Sequence, residues 1–388
     1  MSEKHLKPGW RKVKFGEVVR LSKTRCADPL ADGLDRFVGL EHLVPGDLRI
    51  RSWGNVADGV TFTSVFKSGQ VLFGKRRAYQ RKVAVTDFTG VCSGDIYVLE
   101  SQDASTLMPE LLPFICQSDA FFEHAVGTSA GSLSPRTNWT SLADFEFALP
   151  PVLEQRRIVG AIEGALECEL AYEAARDAAI LTLLSASVAL LQPRNNWKQA
   201  DLQALAIVER GKFSHRPRNL PRFFGGPYPF VQTGDIVASQ GDLRGASQML
   251  SNDGVQYSKS FPKNSILITI AANIGHTAVT TQETWCPDSV VGVVPREGTD
   301  VRFLEFLLRT KQKYLENHVA TQTAQKNINL QDLKPLRLTV PDHVTQMEIA
   351  EQLLCLEQAR NDIERRLFDA HHLRARLVDA AMGGKNVQ

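Results

Sequence analysis

The sequence predicts an α+β protein: two tandem mixed α/β domains, each followed by one long helix, with the two helices pairing as an antiparallel coiled coil. Three observations carry that expectation. The chain repeats itself once, at an offset of 187 to 195 residues; each half opens with short β-branched runs punctuated by Gly and Pro; and each half closes on a stretch whose seam positions alternate by four and three. The boundaries that follow are 1–150 for the first domain, 151–194 for the first long helix, 195–340 for the second domain and 341–384 for the second long helix.

The repeat is legible segment by segment. Gly9-Trp10 opens one half and Asn196-Trp197 the other. Gly46-Asp47-Leu48-Arg49 returns as Gly241-Asp242-Leu243-Arg244, Phe66 and Leu72 return as Phe261 and Leu267, and Cys92 returns as Cys286. Leu149-Pro150-x-x-x-x-Gln155-x-x-Ile158 returns as Val340-Pro341-x-x-x-x-Gln346-x-x-Ile349. Between these markers, Lys82 to Thr86 and Ser265 to Ile270 read as strands, and Pro109 to His124 and Val301 to His318 as helical stretches.

Pro150-Pro151 and Pro341 mark helix entry, because proline suits a first turn and stops what precedes it. The first seam is Ile158, Ile162, Ala165, Glu169, Tyr172, Arg176, Ala179, Leu183, Ala186 and Leu190; the second is Leu353, Leu356, Arg360, Ile363, Leu367, Ala370, Arg374, Leu377 and Ala381. Polar residues at seam positions fix register, and Glu169 is expected to face Arg360 or Arg374. The alternative is two independent amphipathic helices, each packed on its own domain. Ile158 to Leu190, at about 1.5 Å per residue, reaches about 50 Å, the length of a spacer.

Composition sets bounds on function. An apolar share of 43% and a charged share of 23% belong to a globular protein. No apolar run of the length a membrane span requires occurs, and Met1 to Trp10 is polar, so a cytoplasmic protein without membrane association is expected. Six cysteines without a C-x-x-C pair argue against a zinc site and are read as packing residues. A net charge of +2 is neutral on nucleic-acid binding, which depends on where cations cluster.

The densest cluster is Lys75-Arg76-Arg77-Ala78-Tyr79-Gln80-Arg81-Lys82, five cations in eight positions. Arg and Lys bind phosphate, Arg pairs with guanine and Gln with adenine, each good base contact giving about 1–3 kcal/mol of discrimination, so this segment reads as a DNA-contact loop; a solvated charged turn is the alternative. The second half has Thr269 to His276 at that place, without Lys or Arg, and its basic residues come earlier, at Arg210, Lys212, His215, Arg216 and Arg218. The two halves should therefore read different sequences. Arg136, beside Gly127 to Gly131, and Gln322, Lys326 and Asn327 add donors in the loops before each proline. Catalytic patterns are missing: no G-x-x-x-x-G-K-[ST] loop, no G-x-S-x-G elbow, and Pro287-Asp288 lacks the Glu-x-Lys of a common nuclease. His371-His372 point about 100° apart on a helix and cannot share a metal.

In the order and duplication of these pieces the whole chain resembles the specificity subunit of type I restriction-modification systems. The carriers are Gly69-Gln70-Val71-Leu72-Phe73-Gly74-Lys75-Arg76-Arg77 leading to Gly90-Val91-Cys92-Ser93, Leu149-Pro150-Pro151 with Glu154-Gln155-Arg156-Arg157-Ile158, and Thr323 to Asn329. The resemblance implies a non-catalytic subunit with two target recognition domains, each reading half of a bipartite, asymmetric site in double-stranded DNA, with the helices setting the gap. It implies two methyltransferase (modification) subunits and restriction subunits as partners. No cofactor belongs to this chain; S-adenosylmethionine, ATP and Mg²⁺ are expected in the partners. On this reading Lys75, Arg76, Arg77, Arg81 and Lys82, with Tyr79, Gln80 and Arg136, contact the first half-site, and Lys212, Arg216 and Arg218, with Gln322, Lys326 and Asn327, the second. The alternatives are a targeting subunit of another phage-defence or modification system, and a non-catalytic RNA-binding or coiled-coil adaptor.

Overall fold

A computed structural model describes residues 6–215, 217–239, 241–271, 273–319 and 327–381. By contacts the chain divides into unit 1, Met1–Ala175 with Ile363–Gln388, and unit 2, Arg176–Asp362. Each long helix contributes to both: the first runs Val152–Leu190 and the second His343–Ala381.

Unit 1 is built on two four-stranded sheets. One has the order Val19–Leu21, Ile96–Ser101, Val71–Gly74, Val83–Val85; the other Gly54–Asn55, Arg36–Val38, Gly90–Cys92, Ser64–Phe66. Val71 pairs with both Leu99 and Val85 in antiparallel register. All four residues of Val71–Gly74 are buried, as a strand covered on both faces requires, which is why it reads as a continuous apolar run. Phe73 and Leu99 enter the larger core with Phe15 and Phe121, while Leu72 and Val98 enter a smaller one with Phe66 and Cys92.

Unit 2 repeats the plan. Its sheets run Ala206–Arg210, Val290–Pro295, Ile266–Thr269, Thr277–Thr280, Asp242–Leu243, and Gln248–Leu250, Phe224–Phe230, Thr284–Cys286, Lys259–Phe261. The shared tetrapeptide explains itself here. Asp242–Leu243 lies parallel to Val279–Thr280, and in unit 1 Arg49 bridges Val85 in parallel, so Gly-Asp-Leu-Arg is an edge segment laid on equivalent strands. Gly46 and Gly241 both carry positive φ, 82° and 112°, the conformation glycine allows.

The second conserved piece of the repeat has an equally local cause. Gln155 is fully buried; its Oε1 accepts from the Met108 N–H at 2.9 Å while Nε2 donates to the carbonyls of Thr106 (2.8 Å) and Pro150 (2.9 Å). Gln346 does the same with the Asp300 N–H at 2.9 Å and the carbonyls of Gly298 (3.4 Å) and Pro341 (3.0 Å). One amide thus pins each long helix to its own domain. Where the second proline motif departs from the first, Asp342 caps the helix, its Oδ1 accepting from the Thr345 N–H at 3.1 Å.

Some expectations change. Pro109 to His124 is two helices, Leu112–Gln117 and Asp119–Gly127, because Ser118 is extended (φ −64°, ψ 148°) and its hydroxyl caps the second. Four cysteines are buried, but Cys168 and Cys355 are exposed on the long helices rather than packed. Every position of both seams is buried or half-buried. Ile162 and Val378 share a core with Phe114 in unit 1, and Leu183 and Leu353 share one in unit 2. Of the two partners expected for Glu169, Arg374 is the one that meets it, Nε to Oε1 at 2.8 Å. Among the described residues no helix is long and apolar enough to cross a membrane, and no cluster of His, Cys, Asp and Glu could hold a metal.

Candidate nucleic-acid interface

In unit 1 the two loops singled out in the sequence are brought together. The strand Val71–Gly74 ends where the chain turns back on itself, with the Gly74 N–H donating to the Lys82 carbonyl at 2.9 Å. Between them Ala78–Gln80 form one 3-10 turn, anchored by the buried Ala78 and flanked by Arg77 and Arg81, both at φ 55°. Left-handed backbone at an arginine costs about 1 kcal/mol or more that glycine would avoid, and such strain collects where a side chain has work to do. The loop before Pro150 then adds to the edge. Arg77 N–H donates to the Pro135 carbonyl at 2.7 Å, Thr137 N–H to the Lys75 carbonyl at 3.0 Å, and Ala130 and Arg136 exchange both backbone hydrogen bonds.

The side chains divide into holders and presenters. Asp95 accepts from Arg136 Nε at 2.9 Å and Arg76 Nη1 at 3.2 Å. Partial burial alone would raise its carboxyl, but the two guanidiniums hold it below the ordinary carboxylate value. Lys82 donates to the Leu40 carbonyl at 2.6 Å, and Lys75 lies 4.7 Å from the Tyr97 ring centre. Arg81 pairs with Asp119, donates to the Gln117 carbonyl at 3.2 Å and stacks 4.8 Å from the Phe122 ring. Much of the basic cluster therefore braces the edge. Arg77 and Tyr79 are exposed, Gln80 is half-buried, and Arg77 has no carboxylate in ion-pair reach among the described residues.

Unit 2 has the same edge with other residues. Ala271 pairs with Asn327 as Arg76 pairs with Arg136. Its turn is closed by the Thr269 hydroxyl, which binds the Asn273 carbonyl and accepts from the His276 N–H at 3.0 Å, with Ile274 buried beneath. The basic residues gather instead around Asp288. Arg210 Nε donates to the Asp288 carbonyl at 2.5 Å and Arg218 Nη2 to its carboxylate at 2.6 Å. Gly211 makes that approach possible, since a Cβ there would lie 2.2 Å from the Pro287 oxygen. Lys212 is exposed, and His215 stands edge-on to Phe223 and Tyr257, at 4.6 and 5.0 Å. Arg216, Gln322 and Lys326 lie outside the described residues.

Sequence reasoning missed Asp95, whose carboxylate holds Arg76 and Arg136, and Asp288, which holds Arg218 with its carboxylate and Arg210 with its backbone carbonyl. The repeat held the signal: both follow the duplicated cysteines, within Cys92-Ser93-Gly94-Asp95 and Cys286-Pro287-Asp288.

Residues 196–369 match the family described as the type I restriction modification DNA specificity domain. The EcoDI specificity subunit of Escherichia coli is 29% identical over 164 residues, 40% of this chain and 34% of that protein. Over this part of its length the chain is similar to type I specificity subunits. The aligned region spans about a third of the length of that relative. Across the whole chain the fold is similar to that of solved type I S subunits. The HsdS subunit from Thermoanaerobacter tengcongensis, 22% identical, covers 98% of both chains with a TM-score of 0.53. The type I S subunit from M. genitalium, 13% identical, covers 97% of this chain and 98% of that one with a TM-score of 0.63.

Proposed function

We propose that this chain is the non-catalytic DNA-reading subunit of a type I restriction-modification complex, and that it binds a bipartite, asymmetric site in duplex DNA. The observation that carries the proposal is the edge the two units share: the same pairing of loops, Arg76 with Arg136 and Ala271 with Asn327, furnished with different side chains. One backbone plan with two sets of reading groups suits two half-sites of unlike sequence. Unit 1 reads with Arg77, Tyr79 and Gln80 on a brace of Arg76, Arg81, Lys82 and Arg136. Unit 2 reads with Lys212, Arg218 and Asn327, joined by Arg216, Gln322 and Lys326.

The long helices pair antiparallel as the spacer that sets the gap. The buried seams and the Arg374–Glu169 contact support this. Their outer faces receive two methyltransferase subunits, and restriction subunits complete the nuclease; those partners use S-adenosylmethionine, ATP and Mg²⁺. Ile180, Leu181, Leu184 and Val188, exposed on the first long helix, are the docking surface favoured by exposure.

The test is co-expression with the neighbouring methyltransferase in a methylation-free host, with modified adenines mapped by single-molecule sequencing. The expected result is one bipartite motif with a fixed gap, altered in only one part by mutation of one unit. A Leu184→Glu chain should lose the methyltransferase on co-purification. Methylation that is independent of this chain despite a stable complex would transfer the assignment to an adaptor or to another defence system.

A further inference from the structure

We propose that Leu133 is an apolar wedge that enters a base step of duplex DNA in the half-site read by unit 1; the inference rests on the function proposed above and adds a mode of contact to it. Leu133 is 91% exposed, more than any other large apolar side chain among the described residues. A lone exposed leucine is ordinary on a protein surface. What sets this one apart is how firmly its neighbours are held.

Gly131 turns the chain at φ 110°, Ala130 and Arg136 close the loop with hydrogen bonds of 3.0 and 2.9 Å, and the Pro135 carbonyl accepts from the Arg77 N–H at 2.7 Å. Ser134, beside the leucine, accepts from both Arg76 Nε (3.1 Å) and Arg77 Nε (3.2 Å). Two guanidiniums on one hydroxyl, with a third on Asp95, fix a tip whose apolar side chain packs on nothing. A loop whose backbone is already held has that part of the ordering cost met before binding.

The surroundings identify the occupant. Arg77, Arg136 and Tyr79 are exposed on the two loops that pair here, so the leucine's loop and its neighbour carry cations and an aromatic ring. That combination fits a polyanion with a stacked, apolar interior. Leu and similar side chains inserted between base pairs partly unstack them while cations hold the flanking phosphates. Pyrimidine–purine steps open most easily, so one is expected in or beside the first half-site. In unit 2 the corresponding loop tip falls outside the described residues, and Ile274 in its partner turn is buried.

The test uses the full chain assembled with its methyltransferase on duplexes carrying the mapped motif, with 2-aminopurine at each adenine of the first half-site in turn. Wild type should raise the emission at one position. Leu133→Ser should abolish that rise and weaken binding about tenfold, with thermal unfolding unchanged because the side chain is in water, while Leu133→Met should retain both. A Leu133→Ser complex that keeps affinity and emission overturns the wedge, as does one that loses the methyltransferase, which would assign the side chain to a protein contact. A wild-type complex that cannot tell the motif from scrambled duplex overturns the reading function itself.

Discussion

Gln117 and Arg309 hold the same place in the two units, counted from the backbone N–H that the motif glutamine binds at Met108 and Asp300, and they fasten the surrounding elements by different chemistry. In unit 1, Gln117 donates to the Gly46 carbonyl at 3.4 Å and accepts from Arg374 at 3.5 Å, beside a core of Phe114, Ile162 and Val378. In unit 2, Arg309 grips both oxygens of Glu305 at 2.8 Å and reaches Glu357 at 2.8 Å, and Thr277 donates to Glu305 at 2.7 Å. Glu305 is wholly buried, and burial pushes its carboxyl above the ordinary value although Arg309 opposes it. Burial also works against the Arg309 charge, which Glu305 and Glu357 more than offset. A duplicated backbone plan therefore tolerates an amide joint in one copy and an ionic joint in the other. The second tolerates loss of a partner far less, because an uncompensated buried charge remains.

The largest expected effect follows from that asymmetry. Arg309→Leu should cost about 3–5 kcal/mol in denaturant unfolding, since it leaves the buried Glu305 without a cation and Glu357 with only the more distant Arg360, while Gln117→Leu should cost under about 1 kcal/mol. Equal losses would erase the distinction between the joints. Next come Gln155→Leu and Gln346→Leu, each leaving one N–H and two carbonyls without their partner. Both should cost about 2–3 kcal/mol, and a gap between them wider than about 1 kcal/mol would show that the two helix pins are not equivalent.

Asp95→Asn should be the mildest for stability, about 1 kcal/mol or less, because Arg76 and Arg136 are partly exposed. Its pH dependence has a definite sign. The folded carboxyl titrates below its unfolded value, so its contribution is complete above the ordinary carboxylate pKa of about 3.9 and is lost as pH falls through the lower folded value. Melting curves of wild type and Asp95→Asn should converge in acid and separate above that range. On methylated DNA the same substitution should relax the first half of the motif, and Asp288→Asn only the second; a change in the opposite half in either case would break the assignment of units to half-sites.

Much of this was written in the chain. The repeat pointed to two similar halves, the four-three spacing picked out helix positions that are buried or half-buried, and Pro150 and Pro341 marked where each long helix begins, because each of these depends on residues close in sequence or on a period. Glu169 as a polar seam residue needing a cation was equally readable. What tertiary structure decided was partnership. Arg374 rather than Arg360 meets Glu169, a choice between residues some two hundred positions away in sequence that only the folded chain makes. The cluster Lys75 to Lys82 read as a DNA-contact loop along its whole length, yet Asp95, Asp119 and the Leu40 carbonyl, distant in sequence, turn most of it into a brace and leave Arg77 and Tyr79 exposed. A sequence states how many charges a loop carries; only the fold, by choosing which of them find a carboxylate or carbonyl within about 3 Å, decides which remain available to a ligand.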